Sequence, residues 1–474
     1  MSMPEERAPR GGFSTTRRRL LGALGASGLA AAAGALGFTR LARADLPLPS
    51  GRAFLFCHFP GGWDQLLLLD PRDPSRFTEA ARAQTLIDLR YQDIDGLYGL
   101  RARLVRPRGE SPLLFGPLAH REGAPVQLTD FADRMAIVRG VDMAALGHEV
   151  AYRYFLTAMY PSGTAARGTS VATELAALMV PRARRPLANL AIGVESYNDR
   201  FPGSASALQV QNAEDLHLVL APATRAEPDA VEEAIAARAL MPTPCSEDRY
   251  DRRGLWTAAR TARATADGLA RDGVARHFDF VTADTPEALA LRGRYGFARG
   301  EANHPGARAA LAAQALRSGV SQVVSVSLGD PVDTHFKGNA EHVRLILPAL
   351  TAFLALLAEL RSAPHPDGGV FLDHTTVVAF SEFARTPLFN SYGGRDHHPA
   401  SSLMLLGAGV RGGSLVGATS DVGMAPVRWD IDNNRASDDG ETLHPEHLAA
   451  TLLASAGLPT QRLRERPLRA LLST

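Results

Sequence analysis

The chain has 474 residues, with 51 basic and 50 acidic side chains for a formal charge of +1, and two cysteines. Near-neutral charge excludes the basic footprint of a nucleic-acid-binding protein, and two cysteines exclude a disulfide-built scaffold. The length exceeds an ordinary single core, so two or three domains, or one large α/β domain with insertions, are expected.

Thr16-Arg17-Arg18-Arg19-Leu20-Leu21 is an arginine pair followed by apolar residues, and a mild Ala/Gly/Leu stretch runs on to Leu36. Ala42-Arg43-Ala44 has the small-x-small form of a cleavage site. Residues 1–44 therefore read as a twin-arginine signal, which predicts handling by the Tat translocon and a periplasmic or otherwise exported protein. Membrane contact would come only through the signal, if it stays uncleaved. Its removal takes away seven arginines and two glutamates, a net +5, and leaves the mature chain at about −4. Cys57 and Cys245 are expected to be free, packed thiols.

In chain order, strand-sized apolar runs fall at Ala53–Phe59, Met135–Val141, Leu190–Val194, Gln322–Leu328, Thr375–Phe380 and Ser402–Leu406. Most are apolar on both faces, as strands covered by helices on both sides must be. Helical patterns fall at Glu149–Met159, Ser170–Met179, Pro305–Arg317, Glu341–Arg361 and His444–Ala456. The apolar run Val343–Leu360 is interrupted by Arg344, Pro348 and Glu359, and reads as a buried helix rather than a membrane span. Strand and helix alternate. That predicts a mainly parallel, doubly wound α/β sheet with helices on both faces. Residues 45–474 are expected to form one such domain. Between about 200 and 300, Glu227–Leu240 and Leu255–Leu269 suggest a helical insertion over the sheet.

In sheets of this kind ligands bind beyond the carboxyl ends of the strands. Gly61-Gly62-Trp63-Asp64 follows the first strand and Asp333-Thr334-His335 follows the fourth. Ser381-Glu382-Phe383-Ala384-Arg385-Thr386-Pro387 follows the fifth, then Gly394-Arg395-Asp396-His397-His398-Pro399. Carboxylates and imidazoles without cysteine suit one or two divalent ions, zinc, manganese or iron, rather than a structural zinc finger. The expected ligands are Asp64, Asp333, His335, Glu382, Asp396, His397 and His398. Adjacent residues on extended chain face opposite ways, so which of His397 and His398 points inward is open. Arg385 would steady an anion. His58, His365 and His447 have no grouping beyond ordinary structural use.

These motifs, with the twin-arginine start, the Asp70-Pro71-Arg72 step and the run Leu406-Gly407-Ala408-Gly409-Val410-Arg411-Gly412-Gly413, resemble the bacterial exported family called domain of unknown function 1501. That family is similar in fold to the alkaline phosphatase and sulfatase superfamily. The resemblance implies an alkaline-phosphatase-like sheet with a metal-centred hydrolytic site at its strand ends. The superfamily carries a Ser, Thr or modified Cys nucleophile at a helix start. The corresponding stretch here is Gly147-His148-Glu149-Val150-Ala151-Tyr152-Arg153-Tyr154-Phe155-Leu156-Thr157-Ala158, and no hydroxyl or thiol stands at that start. Ser381-Glu382 also replaces the superfamily's Asp-His metal pair.

His148, as ligand or general base, or a cation-activated water would then take the nucleophile's place. Two functions follow as expectations. One is an exported metal-dependent hydrolase acting on a small-molecule or polymeric phosphate or sulfate ester. The other is a non-catalytic envelope protein that keeps the fold and binds a ligand. A dinucleotide cofactor is not expected, because no glycine-rich fingerprint follows the first strand.

Overall fold

A computed structural model describes residues 51–109, 111–179, 185–220 and 274–473. The proposed signal, Cys245 and the two helices expected at 227–240 and 255–269 lie outside the described residues. Eight strands form one sheet: β1 (Ala53–His58), β2 (Met135–Asp142), β3 (Leu187–Ile192), β4 (Leu208–Val210), β5 (Ser321–Ser327), β6 (Thr375–Phe380), β9 (Ala400–Gly407) and β10 (Ser414–Val416). Between β6 and β9 the two-residue strands β7 (Ala384–Arg385) and β8 (His397–His398) make a small hairpin of their own.

Across the sheet the order is β10-β2-β9-β6-β1-β5-β3-β4. Only β9 runs antiparallel to its neighbours. The fold is α/β with a mostly parallel sheet, as the alternating pattern predicts. Edge strand β4 lies within the span expected to be helical; three residues are too few to give a periodic signal.

Strand residues alternate between two cores. Leu55, Cys57, Val324, Val326, Val377 and Ala379 face one side, where α5 (Pro305–Arg317) and α6 (Asn339–Ser362) bury their apolar stripes. Phe54, Phe56, Val323, Val378 and Phe380 face the other, against α1 (His148–Thr157), α2 (Val171–Met179) and α7 (Pro445–Ser455). Two-sided burial is why these strands read as continuous apolar runs. Helix α6 is long and apolar enough to cross a membrane, but its apolar residues are part of the core. Two shorter helices, α3 (Ala213–Leu220) and α4 (Pro286–Tyr295), flank the undescribed stretch 221–273.

The carboxyl ends of the central strands are level. His58 of β1 pairs with Ser327 of β5 and with Phe380 of β6. The chain beyond each strand is then pinned to its neighbours. Leu328 N donates to His58 O (2.9 Å), Phe59 N to Phe380 O (2.9 Å) and Val332 N to Pro60 O (2.8 Å). The loops that carry the polar motifs therefore form one layer rather than independent excursions.

Candidate metal centre

The turn after β1 is built by glycine. Gly61 has φ +99°, and a Cβ there would lie 2.1 Å from Val332 N. Gly62 has φ +82° and rests on the Phe383 ring. Both conformations are open to glycine and strained for other residues. Ser381, just past β6, holds the turn: its Oγ accepts from Gly62 N (3.1 Å) and Trp63 N (3.2 Å) and donates to Phe59 O (2.6 Å).

Glu382 is the hub of this layer. Its carboxylate accepts from His148 Nδ1 (2.7 Å), His58 Nε2 (3.0 Å) and Gly61 N (2.7 Å). Burial alone would raise its pKa, but the bonds from His148 and His58 hold it far below the usual carboxylate range. Glu382 was expected to be a ligand. The structure instead saturates it with donors.

Around Asp333 three imidazoles gather. His335 Nε2 is 3.1 Å from Asp333 Oδ1, His397 Nε2 3.3 Å and His148 Nε2 3.7 Å. His335 Nε2 and His397 Nε2 are 2.9 Å apart. His148, Asp333 and His397 form a group in which each offers one ligand atom within 4.8 Å of the others.

The other nitrogen of each ring decides what these contacts mean. His148 Nδ1 meets Glu382 Oε1, His335 Nδ1 meets Asp396 Oδ1 (2.8 Å), and His397 Nδ1 meets the Leu146 carbonyl. All three partners accept only, so each Nδ1 is placed to donate outward, and the three Nε2 atoms, which converge on Asp333 Oδ1, are the atoms that would present lone pairs to a cation held among them. His397 is held below its ordinary pKa, chiefly by burial, which keeps it neutral. Lone pairs 2.9 Å apart repel unless a proton or a cation lies between them. Imidazoles oriented by an oxygen on the far nitrogen are the usual arrangement of metal ligands.

Among the described residues, two other groups with ligand-like side chains differ on this point. His447 accepts the His444 N–H at Nδ1 (3.1 Å), so its Nε2 carries the proton and faces Glu441 and Glu465, each at 3.4 Å. His365 likewise accepts Asp367 N at Nδ1 (3.1 Å), and its ring stacks face to face on His374 with centroids 3.7 Å apart. Neither offers converging lone pairs.

The remaining expected residues lie around the group rather than in it. Asp64 is buried in an ion pair with Arg395 (3.0 Å), and its Oδ1 accepts Leu66 N (2.9 Å). Asp396 orients His335 from outside and also accepts Asn390 Nδ2 (3.0 Å). In β8 His397 and His398 point to opposite faces. His398 Nε2 reaches Gly423 O (3.0 Å), away from Asp333, and burial lowers its pKa.

Arg385, expected to meet an anion, is buried, and each of its nitrogens is engaged. Its partners are the carbonyls of Gly61, Gly62 (3.0 Å) and Arg395 (3.2 Å), and Asp333 Oδ1 (2.6 Å). It holds Asp333 in place. Burial would raise the Asp333 pKa, but the bond and charge of Arg385, the bond from His397 and the charge of His335 together hold it below its usual value.

Three residues escaped the sequence reading. His58 was set aside, yet it is the last residue of a central strand, which is where the strand-end rule places ligand-facing groups; it stacks on Tyr152 and Phe380. His342 accepts Asp64 N (3.0 Å) and contacts Thr334 Oγ1 (3.3 Å), bracing two loops from the first turn of α6. Arg395 carries the charge that answers Asp64. Helical spacing gave no signal for His342.

A family model described as "Protein of unknown function (DUF1501)" matches residues 53–469. The chain belongs to this family. No curated protein matches it. Among solved structures, BT4656 in complex with its substrate D-glucosamine-2-N,6-O-disulfate is similar at 9% identity, over 86% of this chain and 77% of that one, with a TM-score of 0.30. The matched span includes all of the loops just described, and the role of the Asp333 group rests on its own geometry.

Proposed function

We propose that this family member is an exported, metal-dependent hydrolase of phosphate or sulfate esters, with Asp333, His335 and His397 holding a divalent cation. The observation that carries the reading is the convergence of imidazole Nε2 atoms on Asp333 Oδ1, with the outer nitrogens all tied to oxygen acceptors. Nitrogen-rich ligation with one carboxylate suits zinc, with manganese and iron as the other candidates. A cation held there would polarise the ester and make a bound water more acidic.

His148 stands one step farther from Asp333 than the other two rings and is backed by Glu382 on Nδ1. We assign it the role of general base. As the water oxygen bonds to phosphorus or sulfur, its proton passes to His148 Nε2, and the imidazolium is stabilised by Glu382. The ester bond breaks with its electron pair on the leaving oxygen, which takes up a proton from solvent, and His148 returns its own proton to solvent. Export by the twin-arginine route, with residues 1–44 removed, belongs to the same proposal.

A second reading, a non-catalytic envelope protein that binds an anionic ligand at this centre, is favoured by Arg385. A guanidinium already committed to three carbonyls and Asp333 has little left to offer a transition state.

Elemental analysis and an aryl-ester assay test both. The expected result is about one equivalent of zinc, manganese or iron, turnover of an aryl phosphate or sulfate that chelation abolishes, and loss of metal without unfolding in Asp333→Ala and His397→Ala. His148→Ala should keep its metal and lose turnover. Full metal occupancy in both ligand variants would refute the site, and metal with no turnover on any aryl ester would favour the binding reading.

A further inference from the structure

Two large aromatic rings stand in solvent beside the centre. Phe336 and Tyr392 are each 70% exposed, with ring centroids 5.4 Å apart and planes inclined at 67°. Phe336 directly follows His335, and their rings are 6.1 Å apart.

The loop that carries Tyr392 is fixed to the same histidine. Asn390 Nδ2 donates to His335 O (2.8 Å) and to Asp396 Oδ1 (3.0 Å), while its Oδ1 accepts Tyr392 N (3.0 Å) and Gly394 N (3.1 Å). One amide thus ties the Tyr392 loop to the backbone of His335 and to the carboxylate that orients its ring. A third exposed apolar side chain, Leu146, belongs to the residue whose carbonyl accepts from His397. The apolar rim and the inward-facing imidazoles are therefore positioned by the same bonds. Adjacent exposed rings on loops tied together by hydrogen bonds, rather than a scattered single one, mark a recognition surface.

We infer that Phe336 and Tyr392 form a stacking platform that selects anionic esters whose alcohol portion carries a six-membered ring. The inference rests on the metal-centre reading: the anion lies at Asp333, His335 and His397, and the ring lies against the aromatic pair. An alkyl ester without a ring makes the first contact and not the second.

Calorimetric titration of the zinc-loaded protein with phenylphosphonate, cyclohexylphosphonate and methylphosphonate tests this. Both ring ligands should bind about tenfold more tightly than methylphosphonate. That preference should vanish in the Phe336→Ala/Tyr392→Ala variant while zinc content and methylphosphonate affinity stay unchanged. Phenyl above cyclohexyl would identify a planar aromatic alcohol, and equal affinities a saturated ring such as a sugar. Zinc uptake without a ring preference, or a preference that survives in the double variant, would overturn the platform alone. A protein that takes up no zinc would overturn the metal centre and the platform with it.

Discussion

Glu382 touches no position that a cation between Asp333 and the imidazoles would occupy, yet it fixes which nitrogen His148 turns inward. Glu382→Gln keeps the shape but is neutral and gives one acceptor oxygen where there were two, so His58, His148 and Gly61 all lose a charged partner. His148 is the base and not a ligand, so turnover of an aryl ester is expected to fall while competition with a chelating dye shows unchanged metal affinity. His398→Gln, one residue from a proposed ligand but facing Gly423, should leave metal content unchanged; a large loss there would mean that β8 is turned the other way.

His342 makes a separate statement about pH. Burial pushes its pKa from 6.5 down to about 4, so the native protein keeps it neutral while the unfolded chain takes up a proton near its ordinary value. The unfolded state binds more protons between those values, so stability is complete above about pH 6.5 and falls as pH drops toward 4. The loss from this one residue is about 3 kcal/mol. Urea midpoints measured from pH 7 to 4.5 should fall in the native chain and fall less in His342→Gln, which keeps an acceptor for Asp64 N. Equal slopes would count against it.

Among the elements, the loops beyond the strands do what regular structure does elsewhere. Gly61→Ala would force a non-glycine residue to φ +99° and press a Cβ onto Val332 N. The backbone conformation alone costs about 1–2 kcal/mol, and the collision adds to it. A lowered unfolding midpoint and weakened metal binding are expected together, because the Gly61 peptide also contacts Glu382 and Arg385. A fully active, fully stable Gly61→Ala would show that the turn can rearrange freely.

The strands themselves were legible because both faces of each are buried, leaving runs such as Thr375–Phe380 apolar from end to end. Legibility stopped where partners come from far along the chain. Asp64 at a strand end reads as a ligand, whereas the fold pairs it with Arg395, and no spacing rule links residues so far apart. His58 was visible as a strand-end residue but not as a partner of Glu382, which lies 324 positions away. The Asp333, His335 and His397 grouping could be read, since strand ends gather by topology. The tautomers that make it a candidate centre could not, because they depend on which oxygen each Nδ1 meets.

At the scale of the whole molecule, a bound cation should act on global stability. A ligand that binds only the folded state at a hundred times its Kd adds about 2.7 kcal/mol. Differential scanning of metal-loaded and chelated protein should show a Tm higher by several degrees when loaded, and Asp333→Ala should abolish the difference. The mature amino terminus should be Asp45 if the signal is removed as its cleavage motif predicts; a terminus elsewhere on exported protein would refute that boundary.

The Asp333 group also makes the finished fold a condition for its own chemistry. Its atoms come from α1, from the loop after β5 and from β8, with His148 and Glu382 separated by 234 positions and Asp333 and His397 by 64. Contacts so distant form late, once the entropy of closing the intervening chain has been overcome. A nascent chain that lacks β6 between β1 and β9 has neither Glu382 to turn His148 nor His397 to face His335. Retained metal would then report completed assembly, and no fragment ending before residue 397 should hold it.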